Sequence, residues 1–449
     1  YAQYASKPFH AARYAAFAVA GMCAMMAKPM AVTLPFVMLL LDWWPFARVR
    51  AIGKCIAEKI PLVAFAGFTS WQIMQSNATE AAASISGLTL GVQAANAITA
   101  YARYLLDTIW PYPLALYYPY STAIPVFVIV ASAAVIIGIT LACILQYRRR
   151  PYLLTGWFWF VGMLVPVSGF VQSGMTSRAD RFTYLPHVGL LMAAVLLVSD
   201  LLDSQPARKR QAVLAVIAFA VFLAAMTSVR LNDWSDVFKL YSHDLAITGE
   251  NPRLQFQYGL ILQTAGRAVE AETQFRAILK SNPNANAPRL GLASALVAEQ
   301  RFAESVAVFR DVLKAEPAVA EAHMGLAIAE MNFDPNAGDG GAAKDDAIAH
   351  FNEALRLGLP PAKVAQIHNN LGVIFIQKKD PQNALPHFRE ALSSDPSLLS
   401  ARRNIGLALI ETNQREAAAD FLEQSIRQVG SDTVLVNLRD SLSRPAPAK

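Results

Sequence analysis

Charge is what this chain has least of. Asp, Glu, Lys and Arg make up 16% of its 449 residues, against roughly a quarter in an ordinary soluble domain, so much of it must live outside water. Cysteine is scarce as well. Cys23, Cys55 and Cys143 lie in or beside apolar stretches without paired spacing, which supports neither a disulfide framework nor a zinc site. There is no Gly-rich phosphate loop, no Ser/His/Asp set and no metal-spaced His/Cys cluster. No basic stripe interleaved with aromatics occurs in the polar half, so nucleic acid is not an expected partner. The first residue is Tyr1 and no signal peptide precedes the first apolar run, so the chain reads as starting mid-protein.

What is present is hydrophobic: 54% of the residues. The charges that do occur are uneven. Through Arg230 there are 17 Lys+Arg against 7 Asp+Glu, a net of +10, which leaves 22 against 26, a net of −4, for the rest. Apolar runs at about 9–26, 30–46, 60–76, 122–146, 152–170, 185–202 and 211–229 give about seven candidate membrane spans. Three basic clusters fall between them: Arg48, Arg50, Lys54 and Lys59; Arg148, Arg149 and Arg150; Arg208, Lys209 and Arg210. Placing all three in the cytoplasm puts 77–121, 171–184 and everything after 230 on the other side. The segment 91–109 carries Asn96, Thr99, Arg103 and Asp107 and would break that alternation by crossing, so it reads as an interfacial or re-entrant helix. The aromatic stretch from Trp110 to Tyr120 follows it, at the expected membrane–water boundary.

From about 250 the pattern becomes pairs of amphipathic helices. Pro283 and Pro317 stand 34 residues apart and close two successive units of a tetratricopeptide (TPR) pattern. The first unit carries Gly259, Ala271, Phe275 and Pro283; the fourth carries Leu371, Gly372, Phe375, Ala384, Phe388, Ala391 and Pro396. The second keeps Leu292 and Phe309, the third Gly325, Ala347, Phe351 and Ala354, and the fifth Gly406 and Ala418. Small residues let two helices approach, Phe fills the space between them, and Pro ends the second helix. An insertion in the third unit holds Asp334, Asn336 and Asp339, but Asp339 and Asp345 stand where a calcium loop wants Gly and Glu, so it reads as a solvated surface loop. The expected fold class is therefore all-α, a polytopic transmembrane bundle followed by a TPR solenoid. The expected division is 1–231 membrane domain, 232–249 connector, 250–432 repeats, and 433–449 a capping helix with a frayed tail.

Three stretches go beyond generic membrane helix: Ala27-Lys28-Pro29-Met30-Ala31-Val32-Thr33-Leu34-Pro35-Phe36 running into Leu41-Asp42-Trp43-Trp44-Pro45; Tyr101 to Leu105 with Trp110-Pro111 and Tyr118-Pro119; and Ala179-Asp180-Arg181-Phe182-Thr183-Tyr184-Leu185-Pro186. With repeats after the last span, the chain resembles bacterial transmembrane-and-TPR protein O-mannosyltransferases, which have the GT-C membrane glycosyltransferase fold. The resemblance implies transfer of a sugar from a polyprenyl-phosphate carrier to a periplasmic acceptor. It also implies an acidic pair, as base or ligand to a divalent metal, in a loop expected upstream of Tyr1, so the catalytic carboxylates are not assigned to this chain.

A lipid phosphate needs cations at the membrane surface, and charges at membrane depth are expensive and often functional. Arg181 is the first candidate, with Asp180 to orient it, Tyr184 one turn on, and Arg178 to join it. Lys28 is the second, and Arg103 with Asp107 the third. The competing reading of each is an interhelical ion pair that fixes the bundle. His187 could act as acid or base, but no second catalytic group is visible near it, so a capping or hydrogen-bonded histidine is the favoured reading; His10 and His243 offer nothing more specific. Asp42 beside Trp43 and Trp44 reads as an interface anchor. In the repeats, Gln257, His323, Asn370 and Asn404 precede the Leu-Gly position that lines the groove of related superhelices, with Gly291 breaking the series. Their side chains could bond an extended peptide or simply make inter-helix contacts.

Two functions follow. One is the C-terminal part of a glycosyltransferase in a bacterial inner membrane, its repeats on the periplasmic side recruiting a protein acceptor to a lipid-linked sugar. The other is a non-catalytic, membrane-anchored TPR scaffold for envelope complexes. A transporter is disfavoured, since no paired Gly/Pro interruptions with opposed charges occur in matching halves.

Overall fold

A computed structural model describes residues 1–6, 10–76, 88–168, 176–333, 340–430 and 432–442. Among these every regular element is helical, and extended backbone pairs only in an isolated bridge between Tyr118 and Arg178. The chain forms two compact units, Tyr1–Leu254 and Gln255–Lys449. Part of two expected loops (77–87 and 169–175), the 334–339 stretch with its calcium-loop reading, and the tail beyond Leu442 lie outside the described residues.

In the first unit the apolar runs become the helices Ala11–Ala27, Leu34–Trp43, Ile52–Ser76, Val126–Leu145, Pro151–Leu164, Tyr184–Leu201 and Pro206–Trp234, with Leu90–Ile109 between them. The expectation of about seven spans narrows here. Among the described residues three helices are long and apolar enough to cross a membrane: Val126–Leu145, Tyr184–Leu201 and Pro206–Trp234. Ala11–Ala27, Met30–Trp43 and Pro151–Val167 have 17 residues at most, about 26 Å at the helical rise and short of a hydrocarbon core of roughly 30 Å. Ile52–Ser76 is longer but opens on Lys54, Glu58 and Lys59. The break after Ala27 has a local cause. A residue before proline is pushed out of the helical region, and Lys28 is extended, at φ −147° and ψ 126°.

Small residues join two of these helices. A Cβ added to Gly156 would lie 2.4 Å from the Gly189 carbonyl oxygen and 2.6 Å from Ala193 Cβ. That approach lets Pro151–Leu164 and Tyr184–Leu201 pack backbone to backbone, the way helices associate in lipid. Elsewhere the interior holds charge beside its apolar clusters. Asp42, expected as an interface anchor, is 1% exposed. It pairs with Arg48 at 2.8 Å and with Lys59, which is equally buried, and it accepts from the Tyr1 hydroxyl. Arg48 reaches on to both oxygens of Glu58, at 2.9 and 3.0 Å. A lysine removed from water needs its carboxylate, and Asp42 provides it.

The second unit is a run of helix pairs: Pro252–Thr264 with Ala268–Ser281, Asn286–Ala298 with Phe302–Ala315, Ala320–Asn332 with Gly340–Leu357, Pro361–Gln377 with Pro381–Ser394, and Leu399–Glu411 with Arg415–Val429. Thr433–Leu442 follows, its first turn capped by Asp432, which accepts from the Leu435 amide at 3.1 Å. Each second helix buries one large side chain: Phe275, Phe309, Phe351, Phe388 and Leu422. A Cβ at Gly259 would stand 2.7 Å from the Phe275 ring, and one at Gly372 would stand 2.4 Å from Phe388. The turn between helices has its own register. Gly266, Gln300, Lys379 and Asn413 all take positive φ, between 61° and 75°.

The packing corrects the expected register of the third repeat. Ala293 clusters with Phe309, and Ala327 with Phe351, so Ala327, not Gly325, holds the position of Gly259. Gly291 and Gly325 stand two residues earlier and face the phenylalanine of the preceding repeat, where an added Cβ would lie 2.6 Å from Phe275 and 2.2 Å from Phe309.

Candidate functional site

In the first unit, three segments are tied together by hydrogen bonds that begin in the sequence 110–121. Asn96 clamps Ser121 from both directions, its amide donating to the Ser121 carbonyl at 2.8 Å and its oxygen accepting the Ser121 amide at 3.0 Å. The Ser177 amide donates to the Tyr118 carbonyl at 3.0 Å, and the Ser177 hydroxyl donates to the Pro119 carbonyl at 2.9 Å. Asp244, fully buried, accepts the Leu116 amide at 2.7 Å and pairs with Arg230 at 2.7 Å. A fixed polypeptide frame thus surrounds the charged residues.

Within it Arg178 is central. Its guanidinium lies 3.5 Å over the Tyr118 ring, 2.8 Å from Asp107 and 3.8 Å from Asp180. Asp107 also pairs with Arg103 at 2.9 Å. Asp180 accepts from the Ala115 amide at 3.1 Å and the Tyr118 hydroxyl at 3.2 Å. Burial pushes the Asp180 carboxyl up to about 6, against the pull of Arg178. Beside this network lies a cavity of about 500 Å³, lined by Asn96, Thr99, Arg103, Tyr118, Ser132 and Arg178 among others.

The expected site residues therefore separate. Arg178, Arg103 and Asp180 gather around Asp107. Arg181, the first candidate, does not join them: it donates to the Leu116 carbonyl at 3.2 Å and lies over the Tyr117 and Phe182 rings, at 4.7 and 5.2 Å. Asp180 orients Tyr118 and the Ala115 amide rather than Arg181. Tyr184 lies under Lys28, whose ammonium is 4.2 Å from the ring centre. Neighbours in sequence cannot be assigned to one cluster by adjacency alone, because consecutive residues of this turn point different ways. His187 bonds Thr108 at 2.9 Å and stacks on Phe160, a satisfied histidine. Sequence reasoning names Tyr118 only as part of an aromatic motif, with no role at the site, and does not single out Asp244; an aromatic run and a lone acid carry no signal of what they hold.

Among the described residues no three or more His, Cys, Asp and Glu side chains gather as a metal site. Neither Asp107 nor Asp180 lines the cavity, whose charged wall is Arg103 and Arg178, so this cavity does not fit a divalent cation.

In the repeats, Gln257, Asn370 and Asn404 share one register position on the first helices, and Gly291 and Gly325 complete it. His323 falls out of that set. It lies two residues earlier, about 200° around the helix, where its ring meets His350. Gln257 is exposed and Asn370 half-buried. The Asn404 amide donates to the Asn369 side-chain oxygen at 2.9 Å.

A family model described as tetratricopeptide repeat matches residues 256–311, 290–333 and 344–398. Photosystem I assembly protein Ycf3 of Acaryochloris marina (strain MBIC 11017) is 35% identical over 86 residues, 19% of this chain and 51% of that protein. The chain thus spans about half the length of the curated relative it matches. Among solved structures, the thermophilic TPR protein TTC0263 of Thermus thermophilus is 17% identical over 43% of this chain and 99% of its own, with a TM-score of 0.37. MamA of Desulfovibrio magneticus RS-1 is 22% identical over 39% and 93%, with a TM-score of 0.31. The second unit carries TPR repeats.

Proposed function

We propose that the chain is a membrane-anchored TPR scaffold whose first-helix face docks an extended segment of a partner protein. The observation that carries this is the second unit: five helix pairs and a following helix, matched by the tetratricopeptide model over 256–333 and 344–398, with Gln257, Asn370 and Asn404 at one register position. Repeats of this kind present a continuous surface and bind peptides or proteins along it. The partial relative named as an assembly protein points the same way. Anchoring rests on the first unit. Pro206–Trp234 has a mean hydropathy of 2.5 over its apolar window and buries none of its residues; an exposed face of that size calls for lipid. The clusters Arg148, Arg149 and Arg150, and Arg208, Lys209 and Arg210, favour a bacterial inner membrane with the repeats on the periplasmic side, whereas Arg48 and Lys59 are paired with Asp42 and Glu58.

The test is photo-crosslinking in native membranes from Gln257, Asn370 and Asn404, with Thr273 and Arg389 on the second helices as controls. The scaffold reading expects one protein partner captured from the first-helix positions alone. Equal capture from both sets, or none, contradicts it.

Sugar transfer from a polyprenyl-phosphate carrier is the second reading. It is supported by the polar cavity with Arg103 and Arg178 on its wall, cations of the kind a phosphate diester requires. It is opposed by the pairing of both with Asp107. Arg178→Gln separates the two, because it would abolish transfer and leave partner capture intact.

A further inference from the structure

Four of the seven histidines lie in the repeats, and the fold brings them together two by two, each pair joining the two helices of one repeat. In the third repeat the Nδ1 atoms of His323 and His350 are 3.0 Å apart, and in the fourth those of His368 and His387 are 3.3 Å apart. The pairs share a register: His323 and His368 stand four residues before Ala327 and Gly372, and His350 and His387 each precede the buried phenylalanine, Phe351 or Phe388. The first, second and fifth repeats hold no histidine. Each pair ties the back of a first helix to the second helix behind it. Asn370, on the docking face, lies two residues beyond His368 and so about 200° around the same helix.

Nitrogens this close share a proton in an N–H···N hydrogen bond, and the third repeat shows which ring gives it. His323 Nε2 lies 2.9 Å from the Pro317 carbonyl oxygen. A carbonyl can only accept, so Nε2 carries that ring's proton, and His323 Nδ1 accepts from His350 Nδ1. One further proton can enter without breaking the bond. It goes to His350 Nε2, 3.9 Å from Glu330 Oε2, a buried carboxylate oxygen that has no hydrogen-bond partner. A second cannot. With both rings protonated each Nδ1 is a donor, the hydrogen bond is lost, and two positive charges repel across the gap. The fourth-repeat pair follows the same rule, with the His387 ring held face to face with Phe375 at 5.3 Å.

We propose that the two pairs are an acid-sensitive latch behind the docking face: neutral, each ties the helices of its repeat; charged on both rings, each frees the first helix, and the third and fourth repeats release their bound segment. The latch stands on the histidine geometry, and the release of a partner rests on the docking reading. Histidine is the side chain whose charge changes in this pH range, and clustered histidines flip contacts in this way. Glu330, on the first helix, with Asp346 and Glu353 on the second, surrounds the first pair with negative charge, partly offset by Arg310 of the preceding repeat; Glu390 acts on the second pair. Burial holds His350, His368 and His387 below the ordinary histidine range, and the facing ring adds to this for His350 and His387. Folding therefore favours neutral rings. Their stabilising contribution is complete above about pH 6.5, the unfolded value, and is lost as the pH falls through the lower folded values.

Segment-resolved hydrogen exchange of the full chain in detergent, at about pH 7.5 and about pH 5.5 and corrected for the intrinsic rate at each, tests the latch. Exchange in the third and fourth repeats should rise at least about tenfold in acid, while the first and second repeats change little. His350→Asn with His387→Asn puts a side chain that donates or accepts without titrating near each second-helix Nδ1, and should remove the acid response. Native exchange at the higher pH shows that this variant folds; where it does not, His323→Asn with His368→Asn makes the same test from the first helices. Native repeats indifferent to pH, or an acid response undiminished in the variant, overturn the latch. Photo-crosslinking from Asn370 at the same two pH values reads the release. Capture should fall at least about tenfold in acid and persist there in the variant. Capture retained by the native chain in acid overturns the release, whereas no capture at either pH contradicts the docking reading instead.

Discussion

The repeats and the N-terminal unit both close helices against helices through glycine, yet they distribute polarity in opposite ways. In the repeats the space beside each close approach holds Phe275, Phe309, Phe351 or Phe388, and most charges form exposed pairs such as Arg267 with Glu270 and Arg356 with Glu353, with Glu330 and Arg402 the buried exceptions. In the first unit Gly156 and Gly189 bring two helices together, but the interior also encloses Asp42, Lys59 and Glu58 while Pro206–Trp234 is exposed along its length. An apolar core with a charged exterior suits water. The inverse suits lipid, where the outside need not be polar and inner charges must find one another.

That contrast can be broken at several points. Phe388→Ala removes a fully buried ring and should cost the second unit about 3–5 kcal/mol. Hydrogen exchange resolved by segment should show the loss there and none in the first unit. Asp42→Ala leaves Lys59 buried and uncompensated, at about 3–5 kcal/mol. The double change Asp42→Leu with Lys59→Met should recover most of that, and a double variant no better than the single would mean the charges are not held by each other.

Asp180 gives the first unit a pH dependence of its own. Its carboxyl titrates near 6 in the fold against about 3.9 in an unfolded chain. The protonated form is therefore favoured by folding. Its stabilising contribution is complete below about pH 4 and lost as the pH rises through about 6. Asp180→Asn should flatten the melting temperature of the first unit over that range. The smallest effect expected is a gain. Lys379 sits at φ 62°, where a side chain is strained and glycine is not, so Lys379→Gly should raise the stability of the fourth repeat by up to about 1 kcal/mol.

Much of the second unit is legible in its residues, because a 34-residue period writes the same packing several times over. Phe275 and Phe309 can be placed from the spacing, and Phe351 and Phe388 from Ala347 and Ala384, which stand where Ala271 stands before Phe275. The third repeat misleads where glycine is taken as the position marker. Ala327 does the same job in the close approach, and Gly325 merely looks the part, which also displaces His323. The first unit is less legible. Apolar length locates its helices, but a run of hydrophobic residues does not say whether Lys28-Pro29 will cut it short. Nor does adjacency show that Asp180 turns to Tyr118 while Arg181 turns away. Lys59, which reads as one charge of a solvated loop, is buried because its partner Asp42 lies 17 residues earlier in the chain, a pairing no local pattern announces.

The most direct test of the division between anchor and docking surface is partner occupancy in native membranes, compared across three chains. These are the unaltered chain, Asn370→Arg with Asn404→Arg, and Arg178→Gln. The account predicts that the groove variant loses at least tenfold of its partner while the cavity variant keeps it. Loss in the cavity variant alone, with the groove variant unaffected, would contradict it.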